Sequence, residues 1–496
     1  MIITRNIGGS KLQSLLEIVA LHATKQPDKR CIVDKTCEVS YSEYWRIVQS
    51  IASFLKAKGL KQGDRVVVQA LQSISFVATA MGIQLAGGIF VPIEQSAKDE
   101  RVEEIAKETE ARIVIRTRPV RYDADFVNLN EIVELADKVV VVKDELVFPV
   151  EDDIAEILFT TGTTGDSKGI VLSHRSIVSV AQNVAYGVEM KSNNVELIPV
   201  PVSHSYGLRS YYASMYIGSS VVLMDSLVFL ERFFTAIEEY GVTSLALVPA
   251  AIEMILKLSK NRLGDYSAQL DYVQSGSAAL SEDLKGELCR LLPDSRLYNF
   301  YGSTEAGRCC VIDYQKDTGK ISCIGKPSHN ATVCIVDKEG LAIDSSREQV
   351  GLLAVSGGMN MNCYWRDLDA TSRVLVDGKV ITSDLAYIED EYVYYVGRES
   401  DVINVGGKKV IPTEIENIAN QHKSVSECIC SKTKDALMGQ VPKLYVVIKE
   451  GHDFCPREIT DFLRMHLENY KVPATIEQLE ALPRTYNGKL DRKALA

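Results

Sequence analysis

The chain has 496 residues, room for two to four structural units at about 100–200 residues each. Hydrophobic residues make up 46% and charged residues 24%, which excludes a mainly disordered chain and allows a large buried core. Sixty-six acidic against 55 basic residues give a formal net charge of −11, which argues against a broad nucleic-acid or anionic-membrane surface but leaves room for a local basic site. No apolar run approaches the ~18 residues of a membrane span, and the start, MIITRNIGGSKLQSLLEIV, has no secretory-signal pattern, so the expected address is cytoplasmic. The 11 cysteines are dispersed and odd in number, without a C-x-x-C pair, and read as reduced, mostly buried thiols.

Along the chain, short apolar runs alternate with amphipathic ones. Residues 41–58 carry apolar side chains at helical spacing (Tyr44, Ile47, Val48, Ile51, Phe54, Leu55) and end at Gly59, a helix-stop signal. Residues 65–70 and 112–115 read as buried strands, and 231–248 as a helix joined to a strand at Tyr240-Gly241. This alternation predicts layered α/β subdomains with parallel sheet. After about residue 310 the runs ATVCIVD, GLLAVSG and EYVYYVG, separated by turn residues, predict a β-rich subdomain. The strand-like KLYVVIKE and helix-like CPREITDFLRMHLENY predict a small α+β terminal domain. The expected boundary is the polar stretch Arg398–Asp401, giving an N-terminal domain of 1–398 and a C-terminal one of 399–496; an ordinary surface loop there is the alternative.

The strand-like run 154–159 leads into Thr160-Thr161-Gly162-Thr163-Thr164-Gly165-Asp166-Ser167-Lys168-Gly169. Glycines free backbone N–H groups to curl round an anion, threonines add donors, and Lys168 adds a compact positive charge. The combination suits a polyphosphate. It is not a Walker A loop, because Ser167 stands where that motif needs glycine. A plain Gly/Thr hairpin loop is the alternative.

TTGTTGDSKGIVLSH resembles the signature loop of the adenylate-forming superfamily, which includes acyl-CoA synthetases, and further motifs follow in the family's order. Residues 299–307, NFYGSTEAG, resemble its aromatic-Gly-x-Thr-Glu block, and Tyr364-Trp365-Arg366-Asp367 with Thr382–Tyr387 its ribose-binding segment. Val396–Lys408, with the following Pro412–Glu416, resembles its hinge region, and PRTYNGKL at 483–490 its terminal lysine motif. The resemblance runs from about residue 40 to the end and is closest to acyl-CoA synthetases.

The resemblance implies a two-step reaction. A carboxylate attacks the α-phosphate of ATP, and a thiol then attacks the resulting acyl-adenylate. It assigns Thr160, Thr161, Gly162, Thr163, Thr164, Gly165 and Lys168 to the phosphates. Gly276, Ser277, Ala278, Asn299, Phe300, Tyr301, Gly302, Ser303 and Thr304 would line the nucleotide site, Tyr301 offering a face to adenine. Glu305 would help bind Mg2+. Asp384 would accept from the ribose hydroxyls and Arg398 add a charged fork; a turn aspartate and a surface salt bridge are the alternatives. Lys489 would be the principal catalytic residue, a mobile charge bridging carboxylate and α-phosphate, carried in by rotation of the terminal domain. At the hinge position, where the family usually has Asp or Lys, this chain has Ser400.

Residues 200–208, VPVSHSYGL, resemble the His-aromatic-Gly segment of acyl-CoA synthetases, which makes His204 a catalytic candidate; a structural histidine is the alternative. Between Asn194 and Leu223 the only acid is Glu196, ahead of that segment, so no carboxylate is offered to a substrate ammonium. The expected substrate is an aliphatic or aryl acid without a free α-amino group. Gly406-Gly407 resembles the pair lining the thiol tunnel, with a β-turn as the alternative. The expected acceptor is CoA, with a separate acyl carrier protein second; a non-catalytic nucleotide-binding relative is the reading of another class.

Overall fold

The structure is a computed structural model that describes residues 13–119, 121–141, 146–160, 167–484 and 490–495. It has two compact units. One comprises residues up to Gly319 with Gly325–Val333 and Val355–Val380; the other comprises Lys320–Ile324, Cys334–Ala354 and Ile381 onward. The fold is mixed α/β. None of the 11 cysteines is in a disulfide, and six of them are buried.

Two sheets organise the first unit. In one, strands Arg65–Gln69, Ile89–Ile93 and Ile113–Arg116 run parallel, buried almost throughout, as runs rich in Val and Ile without polar alternation predict. At its other side Ile154–Thr160 and Lys168–Ser173 form an antiparallel hairpin, with Thr160 opposite Lys168. The ten-residue loop of the sequence reading is thus shorter: Thr160, Lys168 and Gly169 already belong to strands.

The second sheet of this unit carries the parallel neighbours Ser220–Leu223, Val195–Ile198, Ser244–Leu247, Tyr272–Ser275 and Arg296–Ser303. The last of these turns back antiparallel into Gly307–Asp313. Helices fill the connections. Tyr41–Ala57 starts at a capping box, Ser40 with Glu43, and is followed by Gly59 at φ +83°, the left-handed stop its sequence announces. Helix Leu230–Tyr240 ends the same way at Gly241, φ +64°, before its strand.

One buried ion pair crosses the unit. Arg209, on helix Ser205–Ile217, lies 2.5 Å from Glu156 on strand Ile154–Thr160, both shielded from solvent, and Tyr212 Oη donates to the same carboxylate at 2.8 Å. Removing one partner leaves the other charge buried alone. Arg209→Met is expected to cost about 3–5 kcal/mol in urea unfolding, and Glu156→Gln added to it to recover most of the loss. A single variant as stable as the parent would show the pair idle.

His174, first residue of helix His174–Gly187, is also buried, and its Nδ1 has no hydrogen-bond partner among the described residues. Burial lowers its pKa from 6.5 to about 4. The folded chain therefore refuses a proton that the unfolded chain takes up below its ordinary pKa, so stability falls as pH drops through that window and levels off below about 4. Between about pH 7 and pH 5 the expected loss is about 2 kcal/mol. His174→Leu should flatten that part of the unfolding profile, and an unchanged slope would refute the assignment.

In the second unit, strands Lys379–Glu389 and Tyr392–Arg398 form a hairpin. A five-stranded sheet follows, built from Ile403–Val405, Lys408–Val410, Val425–Asp435, Gly439–Ile448 and Thr475–Gln478. Helices Pro412–Ala419 and Pro456–His466 close it over a core including Ile403, Val410, Ile415, Leu444, Ile459 and Leu463.

Candidate active site

In an α/β sheet the carboxyl ends of parallel strands open onto the ligand crevice. Three strand ends of the second sheet carry candidate residues, with Ser244–Leu247 standing between the first and the second of them. His204 follows strand Val195–Ile198, Gly276-Ser277-Ala278 follow Tyr272–Ser275, and Thr304-Glu305 follow Arg296–Ser303.

The Glu305 turn is tight. Ser303 Oγ accepts from Ala306 N–H at 3.1 Å, and a Cβ on Gly302 would sit 1.9 Å from the Gly307 carbonyl oxygen, so only glycine allows the reversal. Tyr364 Oη donates to Glu305 Oε1 at 2.9 Å, and Met361 N–H to its carbonyl at 2.7 Å. The Tyr364 ring in turn lies 4.8 Å beneath Lys168 Nζ. Lys168, at the base of the Gly/Thr loop, and Glu305 are thereby tied to one aromatic ring. Burial and the Glu305 carboxylate push the Tyr364 phenol well above its usual range, so it stays a donor. Strand pairing fixes the arrangement: Tyr364 lies opposite Ile170, and Trp365 N–H donates to Gly169 O at 2.7 Å. Thr161, Gly162, Thr163, Thr164 and Gly165 lie outside the described residues.

Asn299 is buried and accepts from Ser275 Oγ at 2.9 Å; Phe300 is buried against Gly187, while Tyr301 is only half-buried. Ser277 holds φ +73°, a left-handed conformation uncommon for serine. His204 occupies the N-cap of helix Ser205–Ile217. Burial lowers its pKa, opposed by the charge of Glu94, which favours a neutral imidazole at neutral pH. Gln72, absent from the sequence reading, shapes the approach to His204: its amide donates to Ile198 O and Val200 O and accepts from Val202 N–H.

Within the second unit, Asp384 lies opposite Arg398 in the hairpin, with Arg398 Nε 3.3 Å from Asp384 Oδ1. Ser400 lies in a short 3-10 turn, its hydroxyl bonded to Asp401 and its carbonyl accepting from Lys432 Nζ. Gly406 and Gly407, at φ +56° and +86°, form a two-residue hairpin turn between paired strands. A turn with positive φ at both positions favours glycine at each without any further role.

Lys489 lies outside the described residues, but its flanks are fixed. Arg484 pairs with Leu490 across an isolated bridge, and Arg492 forms a bidentate pair with Glu416 and contacts Asp401. Nothing in the local pattern of KLDRKALA reveals that Arg492 reaches a helix 76 residues away.

Among the described residues no group of three or more His, Cys or acidic side chains is arranged to hold a metal by itself. A single carboxylate such as Glu305, completed by phosphate oxygens and water, matches how Mg2+ is usually held beside nucleotides.

A family model described as AMP-binding enzyme matches residues 19–365, and one for the AMP-binding enzyme C-terminal domain matches 414–489. The chain belongs to this adenylate-forming family. Within it, the chain is an AMP-forming acid–thiol ligase of the acyl-CoA synthetase kind, a class that ATP and Mg2+ fit. It is 28% identical over 505 residues to the fatty acid–(acyl-carrier-protein) ligase ScoC of Streptomyces coeruleorubidus, spanning 98% of this chain and 96% of that protein. It is 28% identical to 4-coumarate–CoA ligase 3 of Arabidopsis thaliana, spanning 94% and 88%. Its fold matches that of ATP-bound MatB from Rhodopseudomonas palustris with a TM-score of 0.87 at 23% identity over 98% of each chain. No described helix is long and apolar enough to cross a membrane.

Proposed function

We propose that the chain activates an aliphatic or aryl carboxylic acid without a free α-amino group and passes it to the thiol of coenzyme A. The observation that carries the nucleotide half is the Lys168–Tyr364–Glu305 cluster. It sets a cation and a metal-binding carboxylate beside the Gly/Thr loop, where phosphate charge needs neutralising. Thr160 to Lys168 hold the phosphates, Glu305 the Mg2+, and Gly276–Ala278 with Asn299–Thr304 the nucleotide and acyl group. Asp384 and Arg398 take the ribose and α-phosphate region. Lys489 supplies the charge for adenylation, and residues 399–496 act as a mobile lid turning at Ser400. Gly406-Gly407 leave width for a pantetheine arm.

The acid class rests on Glu196. The one acid between Asn194 and Leu223 in the sequence is fully buried and accepts from Ser214, Tyr272 and Gln274 side chains, so it is already engaged. A free-standing acyl carrier protein is the second acceptor, favoured by the activity in the name of the Streptomyces relative. Eleven cysteines outside any disulfide suit a reducing, cytoplasmic setting.

ATP–pyrophosphate exchange against a panel of carboxylic acids tests the reading. Exchange with one class of aliphatic or aryl acid is expected, followed by thioester formation with CoA. Exchange confined to amino acids would overturn the substrate class. Transfer to a phosphopantetheinylated carrier but not to CoA would select the second acceptor.

A further inference from the structure

Arg308 is buried in the first unit, three residues beyond Glu305, and no motif calls for it. Its Nη1 donates to Gln274 Oε1 at 2.6 Å, and its Nη2 to Tyr206 O at 2.7 Å and Ser210 Oγ at 2.9 Å. The guanidinium lies 4.3 Å from the ring centre of Tyr206 and 4.9 Å from that of Phe300. Gln274 uses its amide N–H on buried Glu196. A cation, an amide and an acid thus form one relay across the sheet.

The relay meets all three strand ends of the candidate site. Arg308 is the second residue of the strand that leaves the Glu305 turn, Gln274 stands two residues before Gly276, and Tyr206 two residues after His204. Tyr206 also seals the join: its hydroxyl donates to Gln274 O at 3.1 Å, and a Cβ on Gly276 would lie 2.6 Å from its ring. The turn it packs on contains Ser277 in its left-handed conformation, which persists only where surroundings hold it. Stability is a poor reason for this arrangement. Burying a guanidinium costs several kcal/mol, and an apolar side chain of like volume often does as well or better. What an apolar side chain lacks is a planar fork that fixes three acceptors in direction.

We propose that Arg308 is a positioning residue for adenylation, holding the His204 and Gly276–Ala278 turns in register with Glu305. This rests on the reading of those residues as the nucleotide and acid site. A misplacement of about 1 Å among such groups is enough to slow chemistry by about 100-fold.

The test uses the full chain, the acid that supports exchange best, and two variants. Arg308→Lys keeps the charge and loses the fork. Arg308→Met with Glu196→Gln removes both ionisable groups, so no buried charge stands alone. For each, thermal midpoint, exchange kcat and KM for ATP are measured. The expected result is a near-parent midpoint with exchange kcat down about 10–100-fold and KM for ATP within about threefold. A folded variant with kcat within about threefold of the parent would overturn the proposal. So would failure of both variants to fold, which would make Arg308 structural only. A parent without exchange on any acid would overturn the site reading and the proposal with it. A parent that exchanges beside unaffected variants would overturn the proposal alone.

Discussion

Glu305→Gln is expected to lower acid-dependent ATP–pyrophosphate exchange by about 100–1000-fold while leaving the thermal midpoint near that of the parent. Glutamine keeps the shape of glutamate and an amide oxygen that still accepts from Tyr364 Oη, and the backbone bond from Met361 is untouched. What disappears is the charge. A neutral amide is a poor ligand for a hard divalent cation, and negative charge accumulating on the phosphates then loses part of its neutralisation. Half-saturating Mg2+ should rise together with the fall in kcat, while KM for the acid stays close to that of the parent. Tyr364→Phe makes the comparison informative, because it releases the carboxylate from its donor without discharging it. A smaller loss, about tenfold or less, is expected there. A Glu305→Gln enzyme with parent-like exchange and Mg2+ dependence would remove Glu305 from the metal site.

Elements whose cause is local were legible in the sequence. Helix Tyr41–Ala57 declares its apolar spacing and its Gly59 stop, and helix Leu230–Tyr240 its Gly241 stop, because periodicity and left-handed glycines act within a few residues. Site residues inside contiguous motifs were legible for the same reason: Glu305 sits in YGSTEAG, whose glycines the reversal demands. Gly406-Gly407 was legible as a β-turn, because two adjacent glycines between strand-like runs are a local signal. What could not be read were contacts closed by the fold. Arg308 reaches Tyr206, 102 positions away, and Gln274, 34 away; Arg492 reaches Glu416 and Asp401. Arginine and glutamate are ordinarily surface residues, and no periodicity marks those that are enclosed. The link from Lys168 through Tyr364 to Glu305 was split between three motifs, and only strand pairing joins it.

Lys489→Ala is expected to reduce acid-dependent exchange by about 1000-fold or more and to spare thiol transfer from a supplied acyl-adenylate. The asymmetry follows from where charge gathers. In the first half-reaction a carboxylate approaches a polyphosphate, and a mobile ammonium between them offsets repulsion that grows toward the transition state. In the second, the thiol attacks the adenylate carbonyl and AMP leaves with the electron pair of the broken C–O bond, gaining one negative charge, but no carboxylate has to approach a polyphosphate. A lysine that serves only the first step therefore leaves the second intact. Stability should not confound the measurement. The flanks are held without the lysine: the Arg484–Leu490 bridge joins them to each other, and Arg492 with Glu416 and Tyr445 with Leu495 hold the segment that follows. Lys489→Arg is the companion variant: it keeps the charge but spreads it over a planar group, so partial exchange is expected if charge alone matters and little if a compact donor is required. Loss of both half-reactions in Lys489→Ala, with the thermal midpoint unchanged, would assign the lysine to holding the adenylate rather than to forming it.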